Sequence, residues 1–122
     1  VNSKLIVLED NPLVIMLYEL WCKRFGISLL LFKRIDQLLM YNMISKNDFC
    51  ILDLELLQKK NGAYLDVIKD LTLKSHCLLA SDFKNAEADK LNLQYKTKTK
   101  SLELLESLYF SRSSSTKDAT FL

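Results

Sequence analysis

Short runs of consecutive apolar residues alternate along this chain with stretches where apolar residues recur at helical spacing. Lys4 to Leu8 reads Lys-Leu-Ile-Val-Leu and stops at Glu9-Asp10-Asn11-Pro12. A run apolar on both alternating sides predicts a strand covered on both faces, as in a parallel sheet. Asn11-Pro12 suits a helix start, with Asn as cap and Pro in the first turn. Leu13, Met16, Leu17, Leu20 and Trp21 then form one stripe at i, i+3, i+4, i+7 and i+8, expected to face the core. Gly26 follows as the helix stop.

The alternation continues. Ile27 to Phe32 predicts a second strand, and Ile35, Leu38, Leu39 and Met43 a second helical stripe. Phe49 to Leu54 predicts a third strand, interrupted by Asp53 near its end. A loop with Lys59-Lys60-Asn61-Gly62 follows, then a helix carrying Leu65, Ile68 and Leu71. Cys77 to Ala80 predicts a fourth strand, stopped by Ser81-Asp82. Phe83 to Leu93 is polar and short, a weak helix signal, and Tyr95 to Thr97 reads as a fifth strand. Ser101 then caps a last helix with Leu102, Leu105, Leu108 and Tyr109. The expected fold is α/β, a single doubly wound five-stranded parallel sheet flanked by helices, over residues 1–110. Ser111 to Leu122, rich in Ser and Thr, is expected to be a flexible tail.

Composition narrows the picture only where it excludes. A chain of 122 residues holds one domain with a real core. Its 17 basic and 15 acidic residues are nearly balanced, which gives no reason to expect direct nucleic-acid binding. No apolar run approaches the roughly 18 residues of a membrane span, so no membrane contact is expected. Cys22, Cys50 and Cys77 lack metal-like spacing and suit free thiols in a reducing, cytoplasmic setting. The chain begins with Val1, which with its polar tail fits a segment of a longer protein. His76, the single histidine, falls at the start of the fourth strand and reads as a strand-edge residue.

Polar chemistry collects at the carboxyl ends of the strands, where ligands bind in such sheets. Glu9 and Asp10 follow the first strand, Asp53 ends the third, Ser81 follows the fourth and Lys98 the fifth. Any one of these is ordinary where a strand meets water. Together they suggest a divalent-cation and phosphoryl site, since a hard cation such as Mg2+ relieves the repulsion among crowded carboxylates. Asp53 is the candidate nucleophile, and Ser81 and Lys98 are placed to stabilise phosphate oxygens.

Four segments resemble the receiver domain of two-component response regulators and hybrid histidine kinases. Leu5 to Val14 is similar to the opening strand, acidic pair and helix start, and Asp48 to Leu54 to the phosphoacceptor strand. Leu78-Leu79-Ala80-Ser81 resembles the strand ending in the switch hydroxyl, and Tyr95-Lys96-Thr97-Lys98 the switch aromatic and its lysine. The resemblance implies a flavodoxin-like receiver fold in which Glu9, Asp10, Asp53 and the Glu55 backbone carbonyl hold Mg2+. It implies that Asp53 takes a phosphoryl group from a histidine kinase or histidine phosphotransfer protein. Ser81 and Tyr95 would then switch a partner-binding surface.

Several positions depart from the family. Leu56-Leu57 replaces the usual Met-Pro pair, and Gly62 lies nine positions after Asp53, one more than usual. Asp82 stands where a small residue is common, and Thr99 replaces a proline whose peptide bond is usually cis, so Lys98 is expected on a trans bond with an altered direction. The span from Ser81 to Lys98 is short, which predicts an abbreviated or irregular fourth helix. The alternative is therefore a degenerate pseudo-receiver, a protein-interaction module independent of phosphorylation. A flavin or nucleotide binder is a further class, disfavoured because no Gly- and Ser/Thr-rich loop follows the first strand.

Overall fold

In a computed structural model the first four apolar runs become strands of one parallel sheet. Residues 4–60 and 63–121 are described, the last of these, from 111 on, by backbone alone. The strands are β1 (Lys4–Leu8), β2 (Ser28–Phe32), β3 (Phe49–Asp53) and β4 (His76–Ala80). The helices are α1 (Pro12–Phe25), α2 (Ile35–Met40), α3 (Leu54–Gln58), α4 (Tyr64–Lys74), α5 (Ala86–Lys90) and α6 (Lys98–Phe121). Spatial order is β2-β1-β3-β4, with every pairing parallel.

Alternation along the strands divides the core into two layers. Ile6, Leu8, Cys50, Leu52 and Leu79 point to one face, where α2, α3, α4 and α5 contribute Leu38, Leu54, Leu57, Tyr64, Leu71 and Ala88. Leu5, Val7, Phe49, Ile51 and Ala80 point to the other, covered by Tyr18, Trp21 and Cys22 of α1 and Leu105 of α6. Both faces are buried, which explains why the strands read as continuous apolar runs.

The expected fifth strand is not formed. Tyr95 to Thr97 makes a single parallel bridge, Ala80 to Lys96. Its hydrogen bonds run from Lys96 N to the Leu79 carbonyl at 3.0 Å and from Ser81 N to the Lys96 carbonyl at 2.9 Å. Five residues, 93–97, lie between the Asn92 turn and the start of α6, and only Lys96 among them pairs with β4. The sheet therefore has four strands among the described residues.

Helix faces differ more. In α1 the buried residues are Ile15, Tyr18, Trp21 and Cys22, while Leu13, Met16, Leu17 and Leu20 are exposed. The helix is apolar on both sides, so more than one stripe satisfies the helical period, and the sheet selects the one behind it. In α2, Ile35 and Leu38 are buried, but Leu39 and Met43 are exposed and Met43 lies beyond the helix. Helix α3 was not expected; it forms because Asp53 caps it. The short α5 matches the abbreviated helix expected there, and Asn85 caps it by accepting a hydrogen bond from Ala88 N at 2.9 Å. Helix α6 begins three residues before the expected cap. Thr97 Oγ1 accepts from Lys100 N at 3.1 Å, whereas Ser101 is buried inside the helix and donates to the Thr97 carbonyl at 2.9 Å. The backbone of α6 continues through residues 111–121 of the expected tail, while Gly62 and Leu122 lie outside the described residues. Gly26 has φ +65, the left-handed stop expected after α1.

Candidate functional site

The order β2-β1-β3-β4 places a topological switch point between β1 and β3, since the chain leaves β1 to one side and returns to the other. Ligands in doubly wound sheets bind at that crevice, beyond the strands' carboxyl ends. Glu9 lies directly after β1, and its N–H extends the ladder to the Phe32 carbonyl at 2.9 Å. Asp53 is the last residue of β3, with Oδ1 accepting from Leu56 N at 3.2 Å as the cap of α3. Both carboxylates are thus fixed by the backbone, side by side, and almost wholly buried.

Lys98 enters from the first turn of α6. Its Nζ lies 2.9 Å from Glu9 Oε2, 3.0 Å from Asp53 Oδ2 and 3.2 Å from Asp82 Oδ2. The described chain has no cis peptide bond, so the bond to Thr99 is trans, as expected. The lysine nevertheless points into the acidic centre. Burial acts to lower the Lys98 pKa, but hydrogen bonds to Glu9 and Asp53 overcome it and hold the ammonium charged well above its usual range. Burial raises the Glu9 pKa, opposed by its hydrogen bonds from Lys98 and Asn11.

Glu9, Asp10 and Asp53 present carboxylate oxygens all within 4.8 Å of one another. Asp10 is exposed and makes no ion pair or side-chain hydrogen bond among the described residues. This all-oxygen set suits a hard cation. Next to it the Tyr18 hydroxyl is buried with no hydrogen-bond partner, close enough to feel the charges of Glu9, Lys98, Asp53 and Asp82. An unsatisfied buried hydroxyl beside such charges fits a centre that takes up a hydrated ion. The carbonyl-bearing Glu55 backbone lies in the first turn of α3.

Ser81 and Tyr95 belong to a separate network. Ser81 Oγ lies 2.7 Å from Glu55 Oε2 and 2.7 Å from the Phe83 carbonyl, and its one proton serves only one of them at a time. Asn85 Nδ2 donates to Glu55 Oε2 at 2.8 Å and to Gln58 Oε1 at 2.7 Å. Tyr95 OH accepts from Asn85 N at 2.9 Å and donates to Asp89 Oδ1 at 2.8 Å. The Glu55 side chain therefore ties the segment after Asp53 to both expected switch residues.

Other reactive groups lie elsewhere. His76 is exposed at the opposite end of the sheet, stacked on Phe49 at 5.1 Å between centroids. Burial pushes the thiols of Cys22 and Cys50 up to about 11 and that of Cys77 to about 12, so none is a thiolate near neutrality. At that same far end, Asp48 is fully buried and pairs with Lys4 Nζ at 2.9 Å. No helix among the described residues is long and apolar enough to cross a membrane.

Sequence reasoning missed Tyr18, Asn85 and the Glu55 side chain. Asn85 was legible, since Asn before Ala-Glu-Ala is a helix-cap signal. Tyr18 was hidden by the competing stripe on α1. Compared with models of known protein families, with curated proteins and with solved structures, the chain gives no match.

Proposed function

We propose that this chain is a receiver-like domain of flavodoxin-like fold, in which Asp53 accepts a phosphoryl group from a histidine kinase or histidine phosphotransfer protein. The observation that carries the reading is Lys98 Nζ lying 2.9 Å from Glu9 and 3.0 Å from Asp53 at the switch point of the sheet. In the proposed reaction an Asp53 carboxylate oxygen attacks phosphorus, the phosphorus–nitrogen bond to the donor histidine breaks, and the imidazole keeps the electron pair and takes up a proton. Lys98 neutralises charge on the transferred oxygens, and Glu9 holds Lys98 in position. Mg2+ held by Glu9, Asp10 and Asp53 would offset negative charge on the incoming phosphoryl group. The order β2-β1-β3-β4 agrees with the flavodoxin-like order, without its fifth strand.

A second reading, the pseudo-receiver, is favoured by two contacts. Asp82 Oδ2 already sits 3.2 Å from Lys98, and Ser81 is tied to Glu55 at 2.7 Å. Acetyl phosphate or phosphoramidate with Mg2+, followed by intact mass measurement, separates the two. The phosphoacceptor reading expects one added phosphoryl group in the native chain and none in Asp53→Asn. An unchanged native mass, together with no Mg2+-dependent beryllofluoride binding, would leave the pseudo-receiver.

A further inference from the structure

Beside the acidic centre, and sharing Asp10 with it, lies a cavity of about 390 Å³ lined by Asp10, Lys33, Arg34, Ile35, Asp36, Leu56, Lys59 and Lys60. Its polar rim comes from two turns. Lys33 and Arg34 follow β2, and Lys59 and Lys60 follow α3, both at the ligand-binding edge of the sheet. Ile35 and Leu56, both buried, form the floor. Four basic residues line it, against two acidic ones. The single ion pair among them, Lys60 to Asp36 at 3.8 Å, is long and exposed, and such pairs hold little energy. Lys33, Arg34 and Lys59 make no ion pair among the described residues, although the chain carries 15 acidic groups to pair with.

We propose that this cavity binds a small molecule bearing a diphosphate group. A guanidinium and three ammonium groups supply forked and point donors for phosphate oxygens, and the apolar floor accommodates an organic substituent. The volume lies at the small end of ligand pockets, roughly 300–1,000 Å³, which suits such a molecule better than a macromolecular partner. The cavity shares Asp10 with the proposed cation site, but nothing in it needs Asp53 to be phosphorylated.

The test is a titration of the full chain with inorganic pyrophosphate in Mg2+-free buffer at fixed ionic strength, followed by amide chemical shifts. Saturable single-site shifts confined to residues 33–36 and 54–60 are expected. Arg34→Gln with Lys59→Gln should weaken the affinity at least about tenfold. Lys84→Gln with Lys100→Gln removes the same charge from a distant groove and should leave the affinity within about twofold. The titration contains no phosphoryl donor, so its outcome is independent of whether Asp53 is phosphorylated. Shifts that never saturate, that spread equally to residues 84 and 96–100, or that both double variants weaken alike would overturn the proposal. The free-state spectra of the variants report whether they are folded.

Discussion

Replacing Lys98 by Met tests the electrostatics of the acidic centre directly. Methionine keeps the length and apolar stem of lysine, so the change removes mainly one charge and three donors. The side chains of Lys98, Glu9 and Asp53 are 8%, 2% and 5% exposed. At 3.0 Å and an effective dielectric of about 20, the Lys98–Asp53 pair attracts with about 5.5 kcal/mol before desolvation is subtracted. Desolvation consumes much of that gain in the native chain. The variant keeps the desolvation of two carboxylates and loses their counter-charge, for which about 3–5 kcal/mol of lost stability is expected. A domain with a total of about 5–15 kcal/mol feels that strongly. Removing one carboxylate as well should recover part of the loss, so the Lys98→Met/Asp53→Asn cycle should show a coupling of about 1–3 kcal/mol. Urea unfolding followed by far-UV circular dichroism and by the single Trp21 measures all four corners. Mg2+ should stabilise Lys98→Met more than the native chain, because the cation substitutes for the lost ammonium. At tenfold above its dissociation constant the increment is about 1.4 kcal/mol. A Lys98→Met loss below about 0.5 kcal/mol, or strict additivity in the cycle, would refute the reasoning.

Three further outcomes follow from named contacts. On α1, Leu17→Gln should change stability by less than about 0.5 kcal/mol while Trp21→Ala costs about 3–5 kcal/mol, and a reversed order in urea melts would mean that the helix shows its other face to the sheet. Tyr18→Phe removes a buried hydroxyl that has no partner, so stability should hold or rise by up to about 1 kcal/mol, and a clear loss in the same assay would reveal a bond to that hydroxyl. Burial raises the Asp48 pKa but hydrogen bonds from Ser45 N and Lys4 outweigh it, leaving it below its ordinary value, so its stabilising contribution is present above about pH 3.9 and lost as pH falls through the folded value. The hydrogen bond to Asp48 raises the Lys4 pKa, so its contribution is present below about pH 10.4 and lost as pH rises through the folded value; Lys4→Met should flatten both limbs of a stability–pH curve.

The strands were legible because a parallel sheet covered on both sides demands continuous apolar runs, and β1 to β4 have them. Tyr95 to Thr97 misled because extended propensity over three residues says nothing of how soon the next helix begins; Thr97 caps α6 at once. Helix faces were the least legible part. In α1 both Leu13-Met16-Leu17-Leu20 and Ile15-Tyr18-Trp21-Cys22 satisfy the helical period, and only the position of the sheet decides between them. The centre was legible as residue types at strand ends, and Glu9, Asp10, Asp53 and Lys98 do meet. The partners of Ser81 and Tyr95 were not, because Glu55 and Asp89 reach them from short helices whose side-chain directions no periodicity specifies.

On the proposed reading, the departures from a receiver bear unequally on acceptance and on switching. A phosphoryl group on Asp53 would have to displace Asp82 from Lys98. Asp82 is 40% exposed, so that pair is of the solvent-screened kind, worth about 0–1 kcal/mol, and its carboxylate returns readily to water. A phosphoryl oxygen on Lys98 forms a charge-assisted bond of about 1.5–3 kcal/mol in a less exposed place, so acceptance is favoured over the contact it replaces. Ser81 is held differently. To reach the phosphoryl group its hydroxyl must leave Glu55 Oε2, a charged acceptor at 2.7 Å, and Tyr95 must leave both Asn85 N and Asp89. The two bonds to carboxylates are of the charge-assisted size the phosphate would offer and the Asn85 N bond adds a smaller neutral one, so little net drive remains for the rearrangement. Asp82 is therefore a weak obstacle to phosphorylation, and the Glu55–Ser81–Asn85–Tyr95 network is the stronger brake on any response to it.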